Sequence, residues 1–184
     1  MNRVYFVRHA KPDFSIHDDL VRPLTQEGIE DSKKLTRFFL EENITKIYSS
    51  PYKRSVDTVL DLSKQLKLDI ILIEDFRERK ISDDWIEDFN TFAKTQWEDF
   101  GYKLINGESL KEVQARNIKA LHKILNEHNE ENIIIGTHGT ALGTMIHYYD
   151  RAFDYSRFEM MKNKMPWVVC FEFDGVDLRG YYEY

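Results

Sequence analysis

The stretch that decides the fold is VYFVRHAKPD, residues 4–13, in which an apolar run ends abruptly at Arg8 and His9. Charged side chains are seldom fully buried without partners. A buried strand that leads directly into two cationic residues therefore predicts a strand end that delivers them to a site. This interpretation requires other segments of the chain to supply the rest of that site.

Strand-like and helix-like patterns alternate along the chain that follows. Apolar runs predict further strands at 46–50, 69–75, 132–139 and 167–175, and helical spacing of apolar residues predicts helices at 25–42, 51–66 and 109–128. Thr25 is the expected N-cap of the first helix. The 69–75 strand is nearly all apolar at its centre, as expected for a strand covered on both faces. The alternation indicates an α/β protein with a largely parallel sheet.

Composition and charge limit the class of protein. A chain of 184 residues can hold a core without disulfides, and its single cysteine, Cys170, has no partner for one. The N-terminus lacks a signal pattern, so we expect a cytoplasmic protein. No apolar run approaches the ~20 residues that span a bilayer, and a net charge of -6 with scattered basic residues argues against a nucleic-acid surface. We expect one domain, 1–184, with no nucleic-acid or membrane partner and an oligomeric state left open.

Residues suited to binding phosphate follow three of the predicted strands. Arg8 and His9 follow the first, SSPYKR (49–54) follows the second, and the 132–139 strand ends in Thr137-His138-Gly139. The third strand leads into EDFRERK (74–80), which carries several carboxylates. Ligands of open α/β sheets bind just beyond the carboxyl ends of the strands, so these residues are expected to converge on one sheet edge.

Six segments together resemble the histidine phosphatase superfamily, also called the phosphoglycerate mutase-like family. They are RHA (8–10), PLTQEG (23–28), SSPYKRSVDT (49–58), FRER (76–79), GESLKEVQAR (107–116) and IIIGTHGT (133–140). They occur in the family's order over most of the chain, which is far more specific than any one of them alone. The resemblance implies a three-layer α/β/α sandwich with a mainly parallel central sheet. It also implies a phosphohydrolase that forms a covalent phosphohistidine.

The resemblance implies a role for each matched residue. His9 matches the nucleophile, Glu78 matches the proton donor, and the phosphate is held by Arg8, Arg54 and His138. Ionised guanidinium forks suit phosphate oxygens, and a neutral imidazole can attack phosphorus through one nitrogen. The other nitrogen of His9 is expected to bond a backbone carbonyl, whereas His138 is expected to be protonated. No cofactor and no metal is expected.

The chain departs from the family pattern at three places. Ser15 lies six positions after His9, where many members place an asparagine that contacts phosphate, and is assigned the same contact. Ala10 stands in place of the usual glycine, and KISDDWIED (80–88) replaces the glycine-rich, tryptophan-containing stretch that often follows the acid. The last of these departures bears on the substrate more than on the chemistry.

Other polar residues are expected to be structural or solvated. Arg116 is expected to form an ion pair or to pack, and Ser49, Ser50 and Thr137 to form hydrogen bonds at turns or strand ends. Solvated loop charges are expected at Glu74, Asp75, Arg77 and Arg79, and no site role is assigned to His17, His122, His128 or His147.

The segment 81–106 lies between the acid and the next matched motif. Its aromatic residues are Trp85, Phe89, Phe92, Trp97, Phe100 and Tyr102. We expect helices over the mouth of the site, with most of these rings packed on the sheet and one or two in the pocket. The long insertion of phosphoglycerate mutases is absent, which favours a compact phosphatase of a small phosphorylated metabolite. A mutase-type phosphotransferase and a phosphate-binding regulatory module with weak catalysis remain open.

Overall fold

Strands and helices alternate in the computed structural model, which describes residues 1–84 and 86–184. The strands of this part of the chain are β1 (Asn2–Arg8), β2 (Ile44–Ser49), β3 (Ile70–Leu72), β4 (Asn132–Thr137), β5 (Trp167–Asp174) and β6 (Asp177–Glu183). Its helices are α1 (Gln26–Phe39), α2 (Lys53–Leu66), α3 (Phe89–Glu98), α4 (Leu110–Glu127), α5 (Gly139–Tyr149) and α6 (Tyr155–Met161). No helix in these two ranges is both long and apolar enough to cross a bilayer.

The strands form one sheet in the order β3-β2-β4-β1-β5-β6. Strands β1 to β4 are mutually parallel, whereas β5 is antiparallel to β1 and β6 is antiparallel to β5. Side chains alternate between the two faces of a strand, and in β1 Val4 and Phe6 join one apolar cluster whereas Tyr5 and Val7 join another. Residues of α4 and α5 belong to the first cluster, and residues of α1 and α2 belong to the second. The predicted three-layer α/β/α arrangement with a mainly parallel sheet is therefore confirmed.

Helix α1 is fixed at its N-terminus by the segment PLTQEG. The side chain of Thr25 accepts a hydrogen bond from the amide N of Gly28 at 3.1 Å, which is the predicted N-cap. A Cβ atom at Gly28 would lie 2.4 Å from the carbonyl oxygen of Lys11. Because only glycine permits this approach, the helix packs directly against the loop that carries the residues after His9.

The prediction that a strand at 69–75 is covered on both faces was wrong. Strand β3 has three residues and lies at the sheet edge, where it pairs with β2. Ile71 and Leu72 are 45% and 55% exposed. The apolar run was typical of a central strand, but its position in the sheet is decided by contacts remote in sequence.

Candidate active site

The carboxyl ends of β1, β2 and β4 meet beside a pocket of about 930 Å³. Arg8 pairs in register with Thr137, and Ser49 pairs with Gly136, so the three strand ends are level. Arg8, His9, Arg54, Glu78 and Gly139 line the pocket. The structure thus brings together residues from the four segments that the strand ends marked.

His9 is held with one nitrogen occupied and the other available. Its Nδ1 lies 2.8 Å from the carbonyl oxygen of Ala10, which can only accept, so Nδ1 carries the proton and Nε2 the lone pair. This is the expected backbone acceptor. The pKa of His9 lies well below its ordinary value, first because the ring is buried and then because Arg54 and Arg8 repel a second positive charge. The ring is therefore neutral, as a nucleophile must be.

His138 packs against His9, with 5.3 Å between ring centroids, and its Nε2 lies 2.8 Å from Ser50 Oγ. Burial, followed by the charge of Arg54, lowers the pKa of His138 well below its ordinary value. The expectation of a protonated His138 is thus wrong for the protein groups alone, since cationic neighbours oppose the charge. Within residues 1–84 and 86–184, His138 Nδ1 is buried without a hydrogen-bond partner.

Arg8 is fixed from behind by backbone carbonyls. Its Nη1 donates to the carbonyl oxygens of Met161 and Lys164, each at 3.0 Å. Burial lowers the pKa of Arg8 to about 10, so the guanidinium remains charged at neutral pH. A Cβ atom at Gly139 would lie 3.1 Å from this guanidinium, so glycine at the start of α5 lets Arg8 occupy its position.

Arg54 enters the pocket from the first turn of α2. Its Nη1 donates to the carbonyl oxygen of Asp19 at 2.7 Å and lies 3.3 Å from Asp19 Oδ1. The same carboxylate oxygen accepts from Arg22 Nη1 at 2.6 Å. Burial lowers the pKa of Arg54, and the nearby Asp19 partly offsets this effect. Two buried guanidinium groups, those of Arg8 and Arg54, therefore bring positive charge to one pocket.

The carboxylate of Glu78 is oriented by backbone amides at the start of α5. Oε2 accepts from Thr140 N at 3.0 Å, and Oε1 accepts from Ala141 N at 3.2 Å and from Arg79 N at 2.7 Å. These three donors hold the carboxylate of Glu78 at the pocket wall.

Arg116 holds the loop that carries Glu78. Its Nη1 donates to the carbonyl oxygens of Asp75 and Arg77 at 2.6 and 2.8 Å, and its Nη2 donates to that of Glu78 at 3.3 Å. Arg116 also pairs with Glu108, with 2.9 Å between Nε and Oε1. The expected ion-pairing role of Arg116 is confirmed, and its contacts make it a positioning residue for the acid.

The structure does not bring Ser15 to the pocket. Its side chain is exposed, and both its Oγ and its amide N donate to Asp13 Oδ1, at 2.6 and 3.0 Å. The neighbouring Phe14 lines the pocket instead. The structure thus gives the phosphate contact of Ser15 no support, because a local turn with Asp13 uses its hydrogen bonds, and that contact stays a prediction.

Sequence reasoning assigned no role to several residues that line the pocket. Arg79 was expected to be solvated, but it is only 3% exposed, and His17 was set aside. Tyr52 lies within the matched segment 49–58, and its ring lies 5.2 Å below the Arg54 guanidinium carbon, so the motif itself contained a signal for it. Arg22 donates to the carbonyl oxygens of Ile16 and His17 at 2.6 and 3.0 Å, and no local pattern marked it.

The segment 81–106 contributes one helix, α3, of the helices expected there. Phe89 and Asn90, in its first turn, line the pocket. Phe92 and Trp97 are buried, and the ring of Trp97 contacts Phe158 in the core at 5.2 Å between centroids. Most rings that can be placed therefore pack against the core and one reaches the pocket, as expected, whereas Trp85 lies outside the described residues.

The two lowered histidine pKa values predict how stability depends on pH. Between the folded pKa of His9 and His138 and about 6.5, the value in an unfolded chain, the unfolded state binds more protons. The free energy of unfolding should therefore decrease as the pH is lowered from about 7 to about 5, by up to about 1.4 kcal/mol per histidine per pH unit. Thermal unfolding followed by circular dichroism measures this slope.

A double variant provides the comparison. His9→Asn with His138→Asn should flatten the dependence of Tm on pH between 7 and 5. His122→Asn, at a ring whose Nε2 lies 3.1 Å from Tyr149 OH, should retain the slope. An unchanged slope in the double variant would show that other groups titrate in this range.

Comparisons with known proteins find relatives along most of the chain. The family model described as histidine phosphatase superfamily (branch 1) matches residues 4–179. Phosphoglycerate mutase-like protein 4 of Arabidopsis thaliana is 27% identical over 166 residues, covering 81% of this chain and 70% of its own length. Phosphoserine phosphatase 1 of Hydrogenobacter thermophilus is 24% identical over 160 residues, covering 79% and 74%. The structure of Bacillus stearothermophilus YhfR superposes with a TM-score of 0.81 at 22% identity, covering 97% of this chain and 95% of that one.

Proposed function

The chain belongs to the histidine phosphatase superfamily, and on this premise we propose that it is a metal-independent phosphomonoesterase that forms a phosphohistidine on His9. The observation that carries the proposal is the state of this ring: it is neutral, its Nδ1 is tied to Ala10, and it lies beside two buried arginines. Relatives named as phosphatases support phosphatase activity.

The first half of the reaction transfers the phosphoryl group to the protein. Nε2 of His9 attacks phosphorus, the bond from phosphorus to the ester oxygen breaks, and Glu78 gives its carboxyl proton to the leaving alkoxide. Charge spread over the three phosphoryl oxygens is stabilised by Arg8 and Arg54, whose guanidinium groups need no rearrangement because the protein already fixes them.

The second half returns the histidine to its starting state. Water loses a proton to the Glu78 carboxylate as its oxygen attacks phosphorus, and the bond from Nε2 to phosphorus breaks. Inorganic phosphate leaves, and Glu78 again carries the proton needed for the next cycle. His9, Glu78 and both arginines are present and grouped in one pocket, which favours catalysis over a purely regulatory phosphate-binding module.

The substrate is proposed to be a small phosphorylated metabolite. A relative named phosphoserine phosphatase makes phosphoserine the first compound to test, followed by sugar phosphates and nucleotides. A relative named phosphoglycerate mutase-like keeps a phosphotransferase as the second candidate. Release of inorganic phosphate separates the two, because a mutase would return the phosphoryl group to a product isomer.

The proposed mechanism predicts hydrolysis of p-nitrophenyl phosphate without added metal. Arginine side chains supply the positive charge, so the rate should be the same in buffer and in excess chelator. Release of nitrophenol and phosphate by the purified protein provides the measurement. Activity that disappears in chelator and returns with a divalent cation would replace this mechanism with a metal-assisted one.

A further inference from the structure

We infer that Arg79 provides a second anion-binding site in the pocket, beside that of Arg8 and Arg54, which selects phosphomonoesters whose alcohol portion carries a carboxylate. The inference rests on the proposed phosphatase function and adds a substrate class to it. Arg79 lines the same pocket as His9 and Glu78 and is 3% exposed.

The charge of Arg79 is buried without a carboxylate partner. Of the residues that the structure describes, none places a carboxylate oxygen within 4.0 Å of its guanidinium, and its Nε has no hydrogen-bond partner. Its Nη1 donates to Gln96 Oε1 at 2.5 Å. A buried, unpaired charge is costly, and an arginine that served only the fold would be expected to place its donors on protein acceptors.

The surroundings of Arg79 hold it in a fixed orientation. Gln96 is fully buried, and its Nε2 donates to the carbonyl oxygens of Tyr102 and Glu108 at 2.8 and 3.0 Å, so its Oε1 must point to Arg79. The rings of Phe89 and Phe92 lie 5.5 and 5.1 Å from the guanidinium carbon. A donor group fixed before binding loses little conformational entropy when a ligand arrives.

Arg79 is assigned to the leaving-group side of the pocket because of its relation to Glu78, the residue proposed to protonate the leaving oxygen. The two residues are adjacent in sequence, both line the pocket, and the backbone N of Arg79 donates to Glu78 Oε1 at 2.7 Å. The phosphoryl group itself is provided for by Arg8 and Arg54. The group that meets Arg79 therefore belongs to the alcohol portion of the substrate.

The charged residues that line the pocket favour a carboxylate over a second phosphate as the ligand of Arg79. Arg79 presents one positive charge, which a carboxylate monoanion balances, whereas a phosphate dianion would require a second cation. Lys80, Lys162 and Arg22 also line the pocket, but they already pair with Asp83, Glu159 and Asp19. Asp18 and Asp84 line the pocket as well and would repel the additional negative charge. One guanidinium edge also matches the two oxygens of a carboxylate.

The test is inhibition of p-nitrophenyl phosphate hydrolysis by two matched compounds. 3-Phosphoglycerate carries a carboxylate where glycerol 3-phosphate carries a hydroxymethyl group. In the wild type, 3-phosphoglycerate should inhibit with an inhibition constant about 10- to 100-fold lower, the range expected for hydrogen bonds to a charged group. Arg79→Met should reduce this ratio to within about 3-fold of unity, and Arg79→Lys should leave an intermediate ratio because it keeps the charge but loses the fork.

Lys94→Met provides the matched control. Lys94 lies on α3, pairs with Glu98 with 3.8 Å between Nζ and Oε1, and is not among the described residues that line the pocket, so this variant removes one positive charge without touching Arg79 or its pocket neighbours. Its inhibition ratio should remain that of the wild type. Equal inhibition of the wild type by the two compounds, or an unchanged ratio in Arg79→Met, would overturn the inference. A wild type that hydrolyses no phosphomonoester would instead contradict the proposed function.

Discussion

Replacement of His9 by alanine is expected to lower kcat/KM for p-nitrophenyl phosphate by at least about 10³-fold, as for loss of other covalent nucleophiles. The substituted chain has no neutral nitrogen at the position where Nε2 of His9 lies, so neither half of the proposed reaction can proceed. Brief mixing of the wild type with ³²P-labelled phosphomonoester and an alkaline quench should place label on the peptide that contains His9. Alkali is needed because a phosphoramidate of this kind is labile in acid.

The controls for this experiment separate chemistry from folding. His9→Ala should keep a wild-type circular dichroism spectrum, because the ring faces the pocket and does not belong to either apolar cluster. His122→Ala, at a half-buried ring of α4 that is not among the described residues lining the pocket, should retain both label and turnover. Label recovered on a serine, or full activity in His9→Ala, would contradict the covalent histidine.

Local sequence was sufficient to predict the parts of the site that strand ends provide. In VYFVRHA the change from apolar to cationic residues marked the end of β1, and GTHG marked the end of β4. Parallel strands bring their carboxyl ends to one edge, so His9 and His138 could be expected to meet before any distance was known. Their rings lie 5.3 Å apart.

Contacts between distant segments decided what local sequence could not. Arg79 resembles a solvated loop charge until α3 covers it with Phe89, Phe92 and Gln96, which lie 10 to 17 positions later in the chain. Helix α5 has no amphipathic period to detect, because it is buried along nearly its whole length. Burial, followed by the charge of Arg54, lowers the pKa of both His9 and His138. Arg54 lies on α2, which is distant in sequence from both histidines.

Replacement of Glu78 by glutamine is expected to separate the two halves of the reaction. Glutamine has no proton to give an alkoxide, so hydrolysis of an alkyl phosphate such as phosphoserine should fall about 10²- to 10⁴-fold. Nitrophenolate scarcely needs a proton to leave, so the first step with p-nitrophenyl phosphate should lose much less. The second step, in which water attacks the phosphohistidine, is the same for both substrates, and in this variant it lacks its base.

The variant should therefore release a burst of nitrophenol close to one equivalent per protein chain, followed by slow turnover. Labelled phosphohistidine should accumulate with an aryl phosphate but not with an alkyl phosphate. Because the proposed mechanism takes both substrates through one phosphohistidine, a difference between them reports on leaving-group protonation and not on a displaced loop. Glu74→Gln is the matched control, since Glu74 lies in the same loop with its carboxylate 3.7 Å from Arg77 and mostly exposed. Equal losses for both substrates without a burst would assign Glu78 to orienting the start of α5, through Thr140 and Ala141, and would leave the proton donor to another group.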